Sequence, residues 1–376
     1  MRAAIVSHTY VEDQNRGKLE ALARKGVHLA AFVPSVWQEG ALGKRWTVTH
    51  ERIGNLEIVP VPVRRTLGTP AAALWDLGEL KERLARGEID VVQVEEEPWS
   101  LAARLALRAA RRHGVTSAIF TWQNIAGRPR WPLSILARKT LQLADGWIAG
   151  NEAGKQLLAR VSQSHTHPHP LVVLPQLGVG VPEASSRPAD EAGTLRIAFV
   201  GRLVEEKGVG DLIEAVAGLH SGWSLAVVGD GPARRKLEAQ TRRLGVADRV
   251  SFRGAVPHAE VASLWPSIDV LALPSRTTPH WAEQFGHVLV EAMAHGVTVI
   301  GSSSGAIPEV IGDAGVVVPE GDEVALREAL EQLATNRNTL RELAARGNER
   351  VRQLYTDDAI AERTIAFWKS LRCPES

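Results

Sequence analysis

Short apolar segments alternate with stretches of helical period along nearly the whole chain. Segments of this length that are apolar at successive positions are typical of parallel strands covered by helices on both faces. The alternation therefore predicts an α/β fold built from doubly wound, Rossmann-like sheets. The strands we expect are residues 3–6, 27–33, 90–94, 117–121, 146–149 and 171–174, followed by 195–200, 224–228, 250–252, 270–273, 297–300 and 316–318.

One interruption divides this pattern into two blocks. Residues 181–194 are rich in proline, serine and other small residues and show no period, which is typical of a domain boundary. We therefore expect two domains, over residues 1–180 and 181–355, whose sheets face a central cleft. Thr356 starts a polar segment suited to a helix N-terminus, so residues 356–376 are expected to form a last helix.

Charge and cysteine content narrow the classes of protein that fit. The formal net charge is +1, with an excess of basic residues in the first half and of acidic residues in the second. This asymmetry fits either solvated helix faces or a first domain that meets an anionic acceptor or a membrane surface. The basic residues form no recognisable nucleic-acid reader, so we expect no nucleic-acid partner.

Two further features bear on location and on metals. Cys373 is the only cysteine, so no disulfide forms within the chain, and no apolar run is long enough for a signal peptide or a membrane span. We expect a cytoplasmic protein and leave open a peripheral contact with the inner face of the membrane. The three histidines within residues 164–170 are broken by proline, which favours an exposed loop over a metal site.

Residues 274–296 carry the clearest chemical signal. They place Glu283 in a polar loop and Glu291 inside a helix that starts after Phe285 and Gly286. The first turn of a helix offers unpaired N–H groups and a positive dipole end, which suit an anion. The two acids then flank the anion and are available to ligand hydroxyls. An anion between hydroxyl-rich groups is typical of a nucleotide sugar.

Strand ends in the second block add weaker signals. Glycine allows tight turns and close approach of a ligand to the backbone, although each glycine alone also fits a plain turn. Arg202 and Lys207 lie in the first of these loops, at the sheet edge where phosphates dock, although lone basic residues in loops are more often solvated. The glycines at these strand ends are Gly201, Gly229 and Gly254.

Taken together, residues 195–320 closely resemble the donor-binding domain of retaining GT-B glycosyltransferases of family 4, the group 1 transferases. This resemblance implies the GT-B fold, in which the last helix crosses back onto the first domain. It rests on motifs in the family's order and spacing: Gly201-Arg202 with Glu206-Lys207-Gly208, Gly229-Asp230-Gly231-Pro232, Phe252-Arg253-Gly254, Leu273-Pro274-Ser275, Glu283 and Glu291 around Phe285-Gly286, and Gly305 with Glu309.

The resemblance implies a role for each matched residue. Arg202 and Lys207 would hold the donor diphosphate and stabilise it as the leaving group, and Glu283 would contact the donor sugar. These three residues are the candidate catalytic set. The implied donor-binding residues are Gly201, Gly229, Arg253 and Gly254 on the nucleotide side, Phe285, Gly286 and His287 near the sugar, and Glu291 on the ribose hydroxyls.

The implied reaction moves a sugar from a nucleotide-diphosphate sugar to an acceptor hydroxyl with retention of configuration. The acceptor class stays open between a saccharide, a lipid-linked molecule and a small molecule. The chain contains no Asp-x-Asp motif, so no resident metal or cofactor is expected, and the two basic side chains would neutralise the diphosphate.

The first half departs from the family pattern. Many relatives carry a Gly-Gly loop after the first strand, where Arg16 here offers a possible phosphate contact. Many also carry a histidine after the strand at 117–121. The latter position holds Trp122, Gln123 and Asn124, which fit either amides beside the reacting carbon or a packed turn. Glu96, in the acidic run 95–97, fits an acceptor-binding group, although a solvated loop is favoured.

Two other functions stay open. A nucleotide-sugar epimerase of the GT-B type would act without an acceptor, but the first domain presents no evident acid–base set for it. A non-catalytic subunit that binds a glycan or a partner would typically have lost Arg202, Lys207, Glu283 and Glu291, all of which are present. The basic and aromatic segment at residues 128–132 fits a phosphorylated or lipid-linked acceptor, a mobile lid or a plain surface.

Overall fold

The computed structural model describes residues 1–39, 44–65, 72–127, 129–162, 169–182 and 193–372. It separates into two compact units, one made of Met1–Gly178 with Asp357–Ser376 and the other of Val179–Thr356. Most of the proposed boundary segment and of the histidine loop, together with Arg128 and Cys373, lies outside the described residues. No helix in the described ranges combines the length and the apolarity needed to cross a bilayer.

The first unit is built on an eight-stranded sheet. Its strand order is β12-β11-β10-β9-β1-β2-β6-β5, and every neighbouring pair is parallel except β5 with β6. The bounds are β1 Arg2–Val6, β2 His28–Pro34, β5 Glu51–Ile53, β6 Leu56–Val61, β9 Val91–Val94, β10 Thr116–Thr121, β11 Gly146–Ala149 and β12 Leu171–Val173, with the hairpins β3 Val36–Glu39 and β4 Lys44–Thr47, and β7 Val63–Arg65 and β8 Leu74–Trp75.

Helices cover this sheet, and the last helix of the chain joins them. Their apolar faces pack on strands that are almost fully buried, which accounts for the continuous apolar character of those strands. The helices are α1 Gly17–Arg24, α2 Gly78–Ala85, α3 Leu101–Arg112, α4 Leu133–Leu141, α5 Glu152–Ser162 and α13 Asp357–Arg372.

The second unit contains a six-stranded parallel sheet in the order β15-β14-β13-β16-β17-β18. The order reverses at β13, which is the arrangement that leaves a ligand crevice at the carboxyl ends of doubly wound sheets. The strands are β13 Leu195–Val200, β14 Trp223–Val228, β15 Val250–Gly254, β16 Val270–Leu273, β17 Thr298–Ser302 and β18 Val316–Val318, and the helices are α6 Val209–Ala217, α7 Arg234–Arg243, α8 His258–Val261, α9 His287–Ala294, α10 Ile307–Ile311, α11 Glu323–Thr335 and α12 Arg337–Leu354.

All twelve strands expected from the sequence are present, with ends within two residues of the expected ones. The sequence pattern missed the strands between residues 36 and 75. β6 contains Glu57 and Pro60, which argue against a sheet strand. The structure accepts both because Arg83 binds the Glu57 carboxylate through two bonds of 2.8 Å, and because β5 pairs only with the first half of β6, away from Pro60.

Trp368 is one of the fully buried side chains that hold helix α13 on the first unit. Trp368 has no exposed surface, and its indole N–H donates to the side-chain oxygen of Gln93 in β9 over 2.7 Å. A side chain added at Gly17 in α1 would lie 2.2 Å from the Asp357 carboxylate, so the start of α13 also contacts α1 closely. Helix α13 is therefore part of the core of the first unit.

We expect Trp368→Ala to destabilise the first unit by about 3–5 kcal/mol, because it leaves a large cavity and an unpaired Gln93 amide. Urea unfolding of the full chain measures the loss. Lys369→Ala, at the exposed neighbouring position, serves as the control and should change stability by less than about 0.5 kcal/mol. Equal effects of the two substitutions would contradict the packing role of Trp368.

Candidate functional site

Backbone contacts join the loops that follow β13, β14 and β15. The Gly229 N–H donates to the Gly254 carbonyl over 2.7 Å, and the Gly201 N–H donates to the Val228 carbonyl over 2.9 Å. A side chain at Gly229 would lie only 1.9 Å from the Gly201 carbonyl oxygen. Gly229 is thus required by the contact of one main chain with another, which leaves a small, backbone-lined edge at the carboxyl ends of the strands.

Lys207 lies in the β13–α6 loop and reaches the loop after β16. Its ammonium is 2.6 Å from a carboxylate oxygen of Glu283 and 4.9 Å from the centre of the Trp281 ring. The Ser275 hydroxyl donates to the same carboxylate oxygen over 2.9 Å. Neither charged side chain is more than one-fifth exposed, so their attraction is screened less than that of a surface pair.

Two glycines bring these loops together. Gly208 has φ 68°, and a side chain there would lie 1.9 Å from the Pro274 carbonyl oxygen. Gly305 has φ 52°, and a side chain there would lie 2.0 Å from the Glu283 carbonyl oxygen, which also accepts the Ala306 N–H over 2.9 Å. Backbone contacts on both sides therefore fix the positions of Lys207 and Glu283.

Helix α9 begins beside Glu283, as the sequence predicts. Gly286 adopts the left-handed conformation at the N-cap, with φ 76°. One turn inside the helix, the Glu291 carboxylate lies 2.9 Å from Nδ1 of His287. The other ring nitrogen of His287 is buried and has no hydrogen-bond partner among the described residues. The two acids thus stand on either side of the first turn of α9.

Two of the candidate cations, Arg202 and Arg253, have no acidic partner in the part of the chain that the structure describes. Both residues are exposed. Sequence reasoning missed Trp281 and gave no role to Ser275, although Ser275 lies in one of the quoted motifs. A lone aromatic residue in a polar loop gives no pattern that would have identified it.

The first two acids of the acidic run 95–97 are buried and the third is half-buried, which corrects the expectation of a solvated loop. Glu95 accepts hydrogen bonds from the Lys18 ammonium and the Tyr10 hydroxyl, and its side chain has no exposed surface. Glu96 lies 2.6 Å from Nδ1 of His8 and is 5% exposed. Because each carboxylate accepts hydrogen bonds, the burial of these groups is tolerated.

Glu97, the third acid of the run, has the most perturbed environment. Burial raises the pKa of its carboxyl to about 7, an effect that hydrogen bonds from the Thr121 hydroxyl and the Trp122 N–H partly oppose. The charge of neighbouring Glu96 adds to the rise in pKa. A carboxyl group that gains and loses its proton near neutrality therefore stands at the carboxyl edge of this sheet.

The residues that replace the family's histidine make contacts within the first unit. The Trp122 indole N–H donates to Gln176 over 2.9 Å, and the ring packs edge-on to Phe120. The Gln123 amide donates to the Ile125 carbonyl over 3.0 Å, while Asn124 is half-buried. These contacts are those of a packed turn, and a role of this turn at the reaction centre stays a prediction.

Arg16 is buried in a network of its own. Its guanidinium donates to the Tyr10 carbonyl and to the Glu51 carboxylate, each over 3.1 Å, and lies 2.7 Å from the Asp13 carboxylate. Only 7% of the residue is exposed. A phosphate would have to compete with two carboxylates for this group, so the geometry favours a structural role.

Comparison with known proteins begins with the second unit. The model of a family described as glycosyl transferases group 1 matches residues 183–350. The 2-deoxystreptamine N-acetyl-D-glucosaminyltransferase of Streptomyces fradiae is 31% identical over 185 residues, or 47% of this chain. That match covers 42% of the relative, so the chain spans about half the length, or less, of the first curated relatives it matches.

Other relatives match over both units. The sucrose-phosphate synthase of Thermosynechococcus elongatus superposes with a TM-score of 0.71 over 99% of each chain at 22% identity, which confirms a GT-B fold of two Rossmann-like domains. The phosphatidyl-myo-inositol mannosyltransferase of Mycobacterium leprae is 31% identical over 336 residues, covering 83% of this chain and 82% of that protein. With this match over most of both sequences, the chain belongs to the group 1 glycosyltransferase family.

Proposed function

We propose that this chain transfers the sugar of a nucleotide-diphosphate sugar to an acceptor hydroxyl, with retention and without a resident metal. The observation that carries the proposal is the Lys207–Glu283 pair, which glycine contacts hold beside the start of α9. At this edge of the sheet, a cation and a helix N-terminus complement the negative diphosphate of a glycosyl diphosphate, and an acid can accept hydrogen bonds from its sugar hydroxyls. The same features are consistent with membership of the family.

Donor binding would use the two basic residues of the β13–α6 loop. Arg202 is exposed and forms no ion pair with any described residue, so it is available to the diphosphate, while Lys207 is already fixed in place by Glu283. When the bond between the anomeric carbon and the phosphate oxygen breaks, its electron pair stays on that oxygen. Cations placed there in advance stabilise this charge more in the transition state than in the ground state.

Glu283 and Glu291 would then hold hydroxyl groups. Glu283 retains the Ser275 hydroxyl as a second partner, so its carboxylate stays oriented if Lys207 shifts toward a phosphate. Glu291, oriented by His287, would accept from the ribose. For retention, the acceptor oxygen attacks from the face that the phosphate leaves, and its proton passes to the departing phosphate oxygen.

The acceptor would be bound by the first unit. Its sheet edge presents the fixed carboxylates Glu96 and Glu97, which can accept from acceptor hydroxyls. We include among the candidates a saccharide, a small molecule and a lipid-linked acceptor met at a membrane surface. The exposed apolar residues Trp131, Leu133 and Ile135 favour the lipid-linked class.

Turnover of a panel of UDP- and GDP-sugars, with and without acceptors, tests the reaction. We expect Lys207→Ala and Arg202→Ala each to lower turnover roughly 100- to 1000-fold, because each removes a charge that stabilises the leaving group. The matched control is Lys236→Ala, whose ammonium pairs with Glu205 at the exposed surface and which should keep full activity.

Unfolding temperatures of these variants separate loss of chemistry from loss of fold. Near-normal rates in Lys207→Ala and Arg202→Ala would contradict the diphosphate role. Sugar release that needs no acceptor would favour the epimerase, and the absence of turnover with every donor, despite nucleotide binding, would favour the non-catalytic subunit.

The proposed role of Glu291 can be tested through the affinity for nucleotides with and without ribose hydroxyls. We expect the wild-type protein to bind UDP or GDP roughly tenfold to a hundredfold more tightly than the 2′,3′-dideoxy nucleotide, since a hydrogen bond to a charged group is lost. In Glu291→Ala this preference should vanish, which isothermal titration calorimetry measures. A preference that persists in the variant would place the ribose elsewhere.

The raised pKa of Glu97 predicts that the stability of the folded chain depends on pH. Its pKa is raised from 4.5 to about 7 in the folded chain, so the folded state keeps a proton that the unfolded state loses. The stability gained from protonated Glu97 is complete below about pH 4.5 and is lost as the pH rises through 7. Glu97→Gln keeps a neutral group and should therefore gain stability relative to wild type, on the order of 1–3 kcal/mol between pH 5 and 8.

Urea unfolding at the two pH values measures this difference. Glu20→Gln, at an exposed position of α1, serves as the control and should follow the wild-type curve. Parallel curves for wild type and Glu97→Gln would show that Glu97 does not titrate in this range.

A further inference from the structure

A cavity of about 400 Å³ lies in the first unit between α4, α5 and the carboxyl ends of β9 and β10. Its volume falls in the range of small-molecule sites. Thr121 and Gln123, which follow β10, contribute polar groups, whereas leucines of the two helices, Leu141, Leu157 and Leu158, make most of the remaining wall apolar. Thr121 is also the residue whose hydroxyl binds Glu97, so the cavity meets the sheet edge assigned above to the acceptor.

The charged residues in the wall of the cavity are all basic. Arg138 and Arg160 are the charged residues among those that line the cavity, and no carboxylate lines it. Both guanidinium groups are exposed, and neither has an acidic partner within the described ranges. An apolar space with two unpaired cations complements a molecule that has an apolar body and a negative group.

The surface beside the cavity is also apolar. Trp131, Leu133 and Ile135 are 77%, 44% and 37% exposed, and they fall within five residues at the start of α4, the helix that also lines the cavity. Exposed large apolar residues that are grouped in this way indicate an apolar partner, whereas single ones need no explanation. This exposed apolar surface lies on the same helix as part of the cavity wall, next to the exposed Arg138.

We propose that this cavity binds the apolar part of the acceptor, an anionic amphiphile with an alkyl or isoprenyl body and a phosphate-like group. The proposal rests on the proposed transferase function, and it narrows the acceptor to one chemical class. Arg138 and Arg160 bind the anion, the leucines of α4 and α5 enclose the chain, and the hydroxyl to be glycosylated lies toward Thr121 and Gln123.

Calorimetric titration of the full chain with octyl, decyl and dodecyl phosphate, each below its micellar concentration, tests the proposal. Each buried methylene should raise affinity up to roughly fourfold until the cavity is full, after which affinity should level off. Decyltrimethylammonium should bind at least tenfold more weakly than decyl phosphate. Arg138→Ser with Arg160→Ser should remove this preference for the anion.

Two variants that fill the cavity give the decisive comparison. Leu157→Trp and Ser134→Trp should each weaken decyl phosphate binding at least tenfold, while Gln156→Trp, exposed and outside the cavity wall, should leave it unchanged. Unaltered binding in both filled variants, or equal affinity for the cationic amphiphile, would overturn the proposal.

Parallel measurements separate the possible failures. Absence of UDP or GDP binding to wild type would count against the proposed function, whereas normal nucleotide binding without amphiphile binding would count against the cavity alone. Binding to phosphatidylglycerol vesicles distinguishes association with a membrane surface from binding of a single amphiphile molecule in the cavity. If wild type and Ser134→Trp bind vesicles equally and neither binds monomeric decyl phosphate, the apolar face contacts membranes and the cavity proposal is wrong.

Discussion

Contact between main chains at the carboxyl ends of the strands determines the geometry of the second unit. Where Gly229 meets Gly201, and where Gly208 meets Pro274, the two backbones approach so closely that any side chain would overlap a carbonyl group. Loops that are far apart in sequence are therefore fixed against one another before any ligand binds. Such fixed positions lower the entropy lost on binding, which benefits a site that must orient charges.

The Lys207–Glu283 pair gains its significance from this framework. A surface ion pair contributes little to stability, but here both partners are largely buried and Ser275 supports the acid. In the proposed donor site, Lys207 would be shared between Glu283 and an incoming phosphate without leaving the acid unsatisfied. That proposal treats the pair as a preorganised binding group more than as a source of stability.

The first unit also holds buried charged groups in place with hydrogen-bond partners. Glu95 and Glu96 are removed from water, and each has its own cationic or hydroxyl partner, so the acidic run forms a rigid polar network. Among the described residues, no cation hydrogen-bonds to Glu97, and burial raises the pKa of its carboxyl. Beside this network lies the apolar cavity, and a ligand that joins hydroxyls to an apolar body would meet both surfaces.

The sequence determined much of the local structure by itself. Apolar period located all twelve expected strands, because a strand buried on both faces must be apolar at successive positions. The glycines and the spacing of Glu283 and Glu291 indicated the start of α9, because glycine allows the left-handed N-cap and the helical period follows it. These features depend on neighbouring residues, so they are readable along the chain.

Only the tertiary structure decided which distant groups meet. The ion pair of Lys207 with Glu283 joins residues 76 positions apart, and the burial of Glu95 depends on Tyr10, after β1, and on Lys18 in α1. The strand at Leu56–Val61 was hidden by Glu57 and Pro60, which only Arg83 and a short edge strand make acceptable. Such contacts depend on the order of the strands in the sheet and on how the helices pack. The pattern of residues along the sequence does not specify that order.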